Sequence, residues 1–295
     1  MSLRVVIVTR IAPVLAGFDA VVRAAGHEVV ALLTNRVAMG GGAPGDSATS
    51  ELVFGAPDDL DVLLPASRST IAPLLASAQP DLVVCMGFPW KIPADALAVP
   101  RLGWLNGHPS LLPRHRGPLP VAWAIREGDE EIGITFHFMD AELDTGPILS
   151  QRRIPLGELE PPDVFYPKAG LAIGEALAEA LERIGAGDEG TAQPEDGGSY
   201  ESFFTEDDAW LDLSRPAVEV HRLAWAWRYG MSPTPVPGAL LELDGAPVRV
   251  LATALTEVEG ARRIDCADGP LWLVETEELS EEEASRTTAP APSTR

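Results

Sequence analysis

Two runs of apolar and β-branched residues constrain this chain most: Leu3–Thr9 (L-R-V-V-I-V-T) and Asp81–Met86 (D-L-V-V-C-M). Neither alternates strictly between polar and apolar positions, so each needs cover on both faces, as strands of a parallel sheet do. After the first run, Phe18–Ala25 fits a helix ended by Gly26, and Glu28–Thr34 is a second strand. That is a βαβ opening and implies an α/β fold on a Rossmann-like parallel sheet. The chain has 295 residues, enough for two domains. A dinucleotide site would need G-x-G-x-x-G between the first strand and its helix, but Arg10–Gly17 holds Gly17 alone. NAD and FAD binding are therefore rejected.

Further along, Val37–Pro57 is rich in Gly, Ala, Ser and Pro and reads as a long mobile loop, and Ser69–Ala78 reads as a helix. Pro120–Glu127 reads as a helix, Glu131–Met139 and Ile148–Pro155 as strands, and Ala169–Ile184 as an amphipathic helix. His137, inside an alternating strand, reads as a sheet residue rather than a ligand. In Gly185–Ser199 periodicity is lost and the segment reads as a linker. Ala209–Leu213 is strand-like, and Ala217–Trp227 is a helix whose Trp225 and Trp227 read as core. Short alternating runs at Ala239–Leu243, Val248–Ala254, Ile264–Ala267 and Leu271–Glu275 predict a small OB-like β-barrel. The expected organisation is a catalytic domain over 1–186, a linker over 187–204, a barrel-like domain over 205–275 and a disordered tail over 276–295.

The stretch that carries chemistry is Asn106–Pro120, N-G-H-P-S-L-L-P-R-H-R-G-P-L-P. It begins where an apolar strand, Leu102–Leu105, ends. Asn106, His108 and Ser110 occupy alternate positions of an extended segment, so an amide, an imidazole and a hydroxyl project to one side. Strand ends are where open α/β sheets place their sites. Asp144, in L-D-T-G-P-I-L, can supply an acid. Read alone, a His beside Gly and Pro is usually a loop residue bonding its own backbone, and Asp144 is equally a turn residue.

Asn106–Pro113 with Arg116-Gly117 and Leu143–Gly146 resembles the N-x-H-x-S-L-L-P…R-G…L-D-x-G signature of the folate-dependent formyltransferases. That family includes methionyl-tRNA formyltransferases, sugar N-formyltransferases, formyltransferases of small amines or hydroxylamines, and 10-formyltetrahydrofolate hydrolases. The resemblance extends in register over Asp81–Gly87, Trp123–Gly133 and Met139–Leu149, and more weakly over Leu3–Thr34 and Gly190–Ala254. It implies Asn106, His108 and Asp144 as the catalytic trio and 10-formyltetrahydrofolate as the formyl donor. It also implies a pterin pocket at Phe88, Pro89, Trp90, Lys91 and Ile92, with further folate contacts from Ser110, Leu111, Leu112 and Pro113 and from Met139, Asp140 and Glu142. The bland alternative for Phe88–Ile92 is an ordinary strand-to-helix turn with aromatic packing. Arg116 is open between holding a turn and facing the folate tail. The resemblance places Arg10–Gly17 near the acceptor amine and likens Ala209–Glu275 to the barrel-like domain of methionyl-tRNA formyltransferases.

Formyl transfer is acyl transfer through a tetrahedral oxyanion, so it needs a donor aimed at the oxyanion and a base for the amine proton. Asn106 is the candidate oxyanion donor, His108 the proton acceptor, and Asp144 the group that orients His108 and stabilises its charged form. No metal is required, and the His and Cys spacings match no zinc pattern.

Charge bears on the acceptor. The formal charge is −22, which disfavours grip on phosphate backbones or anionic membranes. Thr34–Asp59, where methionyl-tRNA formyltransferases carry a basic loop, holds one basic residue, Arg36, against Asp46, Glu51, Asp58 and Asp59. Residues 201–295 contain eight Arg, no Lys and eighteen Asp or Glu, a net of −10. The first expectation is therefore an N-formyltransferase acting on a small amine or hydroxylamine. The alternatives are a methionyl-tRNA formyltransferase, suggested by Ser214–Ala224, a 10-formyltetrahydrofolate hydrolase, and a folate-binding protein without turnover. Two isolated thiols, Cys85 and Cys266, no span long enough for a membrane, and no signal-peptide layout point to the cytoplasm. Oligomeric state is not legible.

Overall fold

The computed structural model describes residues 2–35, 47–230, 236 and 238–287. Its chain divides into two compact units. The first comprises Met1–Gly117, Ile132–Pro155 and Phe165–Tyr200, and the second Pro118–Glu131, Leu156–Val164 and Glu201–Arg295. Contacts thus divide the chain differently from a single cut after residue 186.

The first unit is a seven-stranded sheet in the order β3-β2-β1-β4-β5-β6-β7, formed by β1 (Arg4–Val8), β2 (Glu28–Leu33), β3 (Asp61–Leu63), β4 (Leu82–Cys85), β5 (Trp104–His108), β6 (Glu131–Phe138) and β7 (Ile148–Pro155). β1 to β5 pair in parallel, and β6 pairs antiparallel to β5. The Rossmann-like expectation holds, with an antiparallel edge added.

The two faces explain the continuous apolar runs. Val5 and Ile7 of β1, Val29 and Leu32 of β2, and Leu82 and Val84 of β4 pack under α1 (Ala12–Ala24) and the last turns of a long helix over Pro162–Gly185. Their neighbours Val6, Val8, Ala31, Leu33, Val83 and Cys85 pack on the other face with Ile71 and Leu75. Sequence order runs leftward from β1 to β3 and then rightward through β4 and β5. The direction reverses between β1 and β4, where α/β sheets open a crevice at the strands' carboxyl ends.

Several local expectations change. The first helix begins at Ala12, not Phe18, because Pro13 in its first turn is compatible with a helix start. Arg10–Gly17 is therefore a loop only through Ile11. Within Val37–Pro57, α2 (Ser47–Phe54) is helical and buries Leu52, whereas the mobile-loop reading of 37–46 lies outside the described residues. α3 (Ile71–Ala78) and α4 (Ala94–Leu97) flank β4, and α5 is Pro120–Glu127. The long helix, α6 (Pro162–Gly185), starts well before Ala169 and carries Pro167 inside it. Ala209–Leu213 is not a strand. α7 (Glu206–Ala209) ends there, and Trp210 makes one isolated bridge to Leu240.

In the second unit, α8 (Ala217–Ala226) packs on α5 and on a four-stranded antiparallel sheet in the order β10-β11-β9-β8. The strands are β8 (Ala239–Leu243), β9 (Ala246–Ala254), β10 (Arg262–Asp265) and β11 (Pro270–Glu278). This sheet is an open half of a barrel: among the described residues β10 does not close onto β8. Where composition suggests disorder from Thr276, β11 continues to Glu278 and Glu281–Arg286 form α9, capped by Ser280; residues 288–295 lie outside the described residues. The Ser280–Glu283 capping box explains the helix in so acidic a segment.

Trp225 and Trp227 are buried, as core. Phe204 stands edge-on between Trp123 and Trp227, with centroids 5.2 and 5.1 Å away, and Arg126 lies over the Trp123 ring. Phe204 is 1% exposed. Phe204→Ala should therefore destabilise this unit by about 3–5 kcal/mol, read from a chemical denaturation midpoint.

Candidate active site

The site forms where β5 ends. Trp104 and Leu105 anchor the strand, the indole N–H donating to the Ala96 carbonyl at 2.9 Å. The next three residues pair antiparallel with β6, placing Asn106 opposite His137 and His108 opposite Thr135. Gly107 between them has a steric cause: a Cβ there would stand 2.9 Å from the Phe136 ring.

Asn106, His108 and Asp144 come together. Asn106 Nδ2 is 3.4 Å from Asp144 Oδ1, and His108 Nδ1 lies 3.7 Å from the same oxygen. His108 Nε2 is 2.7 Å from the His115 carbonyl, which can only accept, so Nε2 carries the proton. In the neutral ring the lone pair is then on Nδ1, facing Asp144. The His115 carbonyl, rather than a hydrogen bond to Asp144, sets the ring's orientation.

A second imidazole completes the cluster. His137 Nδ1 donates to the Phe138 carbonyl at 2.8 Å, leaving Nε2 to accept from Asn106 Nδ2 at 3.2 Å. His137 Nε2 is also 3.7 Å from Asp144 Oδ1. The residue is a sheet residue, as expected, and also a wall of the site. No sequence signal separated the two, because they are not exclusive.

Asp144 is held in an unusual conformation. Its φ is +58°, left-handed backbone that costs a non-glycine residue about 1–2 kcal/mol. Its Oδ2 accepts from the Gly117 N–H at 2.9 Å. Two residues on, a Cβ at Gly146 would meet the Phe138 carbonyl oxygen at 1.8 Å, so only glycine fits the turn. Asp140 Oδ1 accepts from the Glu142 N–H and the Thr145 hydroxyl, closing the start of the loop.

The expected linker contributes directly. Gln193 Nε2 donates to the carbonyls of Asp144 and Gly146 at 2.8 and 2.9 Å, and its Oε1 accepts from Arg116 Nη2 at 2.6 Å. The Arg116 guanidinium thus holds Gln193. Ser199 Oγ accepts from the His115 N–H, the N–H whose residue orients His108. A segment without periodicity gave no sign of this, since its work is hydrogen bonding.

The residues implied for the folate divide into two groups. Ser110 and Leu112 are buried inside their own loop. The Ser110 hydroxyl donates to the Arg114 carbonyl, and Thr135 and Gln151 hold Ser110 and Leu112 by their backbones. Leu111 packs over Gly133, and the Leu112–Pro113 peptide is cis. Phe88 and Trp90 meet edge to face at 5.8 Å, with Met139 packed against the same cluster and Ile92 buried in it. Lys91 lies 3.9 Å from Glu142. A cavity of about 330 Å³ opens beside them, lined by Arg68, Lys91, Ile92, Pro93, Ala94, Leu97 and Ala141.

Electrostatics suit an acid–base pair. Burial pushes the His108 imidazole below its usual range, and the Asp144 carboxylate offsets this only in part. Burial would raise Asp144, but His108 and His137 in their protonated forms, together with the Gly117 N–H, hold it down at about 2.

Comparison with known proteins bears on the chain's family and fold. The family model described as Formyl transferase matches residues 59–169. Methionyl-tRNA formyltransferase of Roseiflexus sp. (strain RS-1) is 36% identical over 287 residues, covering 92% of this chain and 84% of that protein. The chain belongs to the formyl transferase family. Among solved structures, HypX from Aquifex aeolicus in complex with tetrahydrofolic acid superposes with a TM-score of 0.67 at 19% identity, over 95% of this chain and 45% of that one. A 4-N formyltransferase from Francisella tularensis gives 0.65 at 20%, over 87% and 99%. These structures share the fold of this formyltransferase. Among its described residues no helix is long and apolar enough to cross a membrane.

His108 should titrate below the ordinary histidine value of about 6.5. Because the Asp144 carboxylate favours the imidazolium, Asp144→Asn should move that titration lower still, as followed by NMR of the ring protons.

Proposed function

We propose that this formyltransferase moves the formyl group of 10-formyltetrahydrofolate to the amine or hydroxylamine of a small acceptor. The observation that carries this reading is the convergence of an amide, an imidazole and an ionised carboxylate at the end of β5. The acceptor nitrogen would attack the formyl carbon and pass its proton to His108 at Nδ1, whose new charge faces Asp144 Oδ1. The oxyanion would take an N–H of Asn106 Nδ2 in place of the long 3.4 Å contact to Asp144. Collapse breaks the bond from carbon to N10, and the proton held on His108 returns to N10. The product is the formamide and tetrahydrofolate. The cavity beside Lys91 offers the donor apolar walls for a flat ring system in Ile92, Pro93, Ala94 and Leu97.

The small acceptor is favoured over tRNA by charge. In the second unit Arg215, Arg249, Arg262, Arg263 and Arg286 each pair with an acid, with Glu219, Glu277 and Glu283, Asp244, Asp265 and Glu282 respectively. Such arginines are compensated, whereas phosphate binding depends on uncompensated ones. The second reading, methionyl-tRNA formylation, is favoured by the name of the Roseiflexus relative. Hydrolysis, with water as nucleophile, uses the same three side chains.

Purified protein with 10-formyltetrahydrofolate, followed by tetrahydrofolate absorbance, tests the three together. Release is expected only with members of a panel of amines, amino sugars and hydroxylamines. Release with initiator methionyl-tRNA at low salt would replace the small acceptor by tRNA, and release with no acceptor would make the enzyme a hydrolase. Asn106→Ala and Asp144→Asn should each lower kcat on the order of a hundredfold or more.

A further inference from the structure

We infer that Gln193 is a positioning residue of the reaction, acting by holding the main chain at Asp144 so that the carboxylate faces His108. This rests on the proposed role of Asp144. The amide makes a complete set of bonds whose direction is fixed by chemistry. Arg116 can only donate, so the atom 3.2 Å from its Nε and 2.6 Å from its Nη2 is the amide oxygen. The carbonyls of Asp144 and Gly146 can only accept, so the atom 2.8 and 2.9 Å from them is the nitrogen. A flipped amide would lose every one of these contacts.

The bonds fall where the loop needs them. Asp144 has a left-handed φ of +58°, and Gly146 approaches the Phe138 carbonyl too closely for any Cβ. Such a turn persists only when its surroundings over-determine it. The Asp140 side chain fixes the front of the loop, and the Gly117 N–H fixes the carboxylate. Gln193 grips the carbonyls on either side of Thr145, the part those two leave free. Arg116 adjoins Gly117, so one chain of contacts ties the carboxylate's backbone anchor to its N–H donor. The anchor is itself seated. Thr191 pairs with Ile148 of β7, and Ser199 with Pro113 and Arg116. Segment 191–199 is thus laced across the site's floor rather than strung between domains.

The isosteric Gln193→Glu separates this role from packing. It keeps the volume and an acceptor for Arg116 but turns a carboxylate toward two carbonyls, with no N–H to give. Gln193→Ala loses both halves. The full chain is used for each variant. Hydrogen–deuterium exchange is followed over Asp140–Pro147, and kcat and KM are measured for 10-formyltetrahydrofolate with whichever panel amine the wild type accepts. Both variants should exchange faster in that loop, with β4 unchanged. Both should lose about ten- to a hundredfold in kcat, while the KM for donor moves less than about threefold, because a misplaced positioning group weakens chemistry more than ground-state binding. Gln193→Glu should be no better than Gln193→Ala. Wild-type kcat or wild-type loop exchange in Gln193→Glu would overturn the inference, as would a rise confined to KM. If the wild type turned over nothing, the donor reading would fail while loop exchange still decided the role of Gln193.

Discussion

An ionised carboxylate in a largely buried pocket is the constraint around which this site is built. Asp144 lies beneath the protein surface, where a charge without partners is costly. Its Oδ2 takes a backbone N–H from Gly117, and its Oδ1 faces Asn106, His108 and His137 together. Each of these needs its own support. His108 is turned by the His115 carbonyl, His137 by the Phe138 carbonyl, and the Asp144 turn by Gln193. The hydrogen-bond network extends outward from one charge until it reaches segments far away in sequence.

The sheet makes that possible by one departure from parallel order. β6 runs antiparallel to β5, so Asn106 sits directly across from His137. A parallel neighbour would have needed a long crossover and would have offered a different residue at that height. The close packing of Phe136 over Gly107 sets the two strands' approach, and the pair then holds an amide and an imidazole at hydrogen-bond distance. Chemistry at this site is therefore a property of the register as much as of the motif.

This explains what could be read in advance. Val5 to Val8 and Leu82 to Cys85 announced a two-faced sheet, because a run of consecutive apolar side chains has no other stable surroundings. Asn106 and His108 were legible because period-two spacing is local, and Asp144 because the motif resemblance reached it. His137 was legible as a strand residue but not as a neighbour of Asn106, since cross-strand register is written in no single segment. Gln193 was hidden for a related reason. Hydrogen-bonded segments carry no hydrophobic period, and Gly-Asp-Pro-rich composition reads as a linker whether the chain is free or laced down. Ser110 errs in the opposite direction: alternate spacing with His108 suggested a shared face, yet its hydroxyl closes its own turn on Arg114.

The proposal of a small acceptor rests on a different kind of physics from the site. Acyl transfer at Asn106 and His108, as proposed, asks nothing about what the nucleophile is attached to, so the geometry of the site is silent on it. Long-range charge is not silent. A polyanion is drawn to arginines that lack partners, and its affinity grows with the number of counterions it sheds. Along the second unit the arginines of β9, β10, α8's approach and α9 are matched one to one or better by acids. For a phosphate chain to bind there it would have to displace carboxylates already in contact, and the remaining acids would repel it. A compact acceptor of low charge, as proposed, would meet no such barrier, and the same excess of acid would draw a protonated amine toward the protein. Attack itself needs the neutral amine, so the ammonium's extra proton goes to solvent first, and the imidazole beside the carboxylate stays free for the proton released on attack.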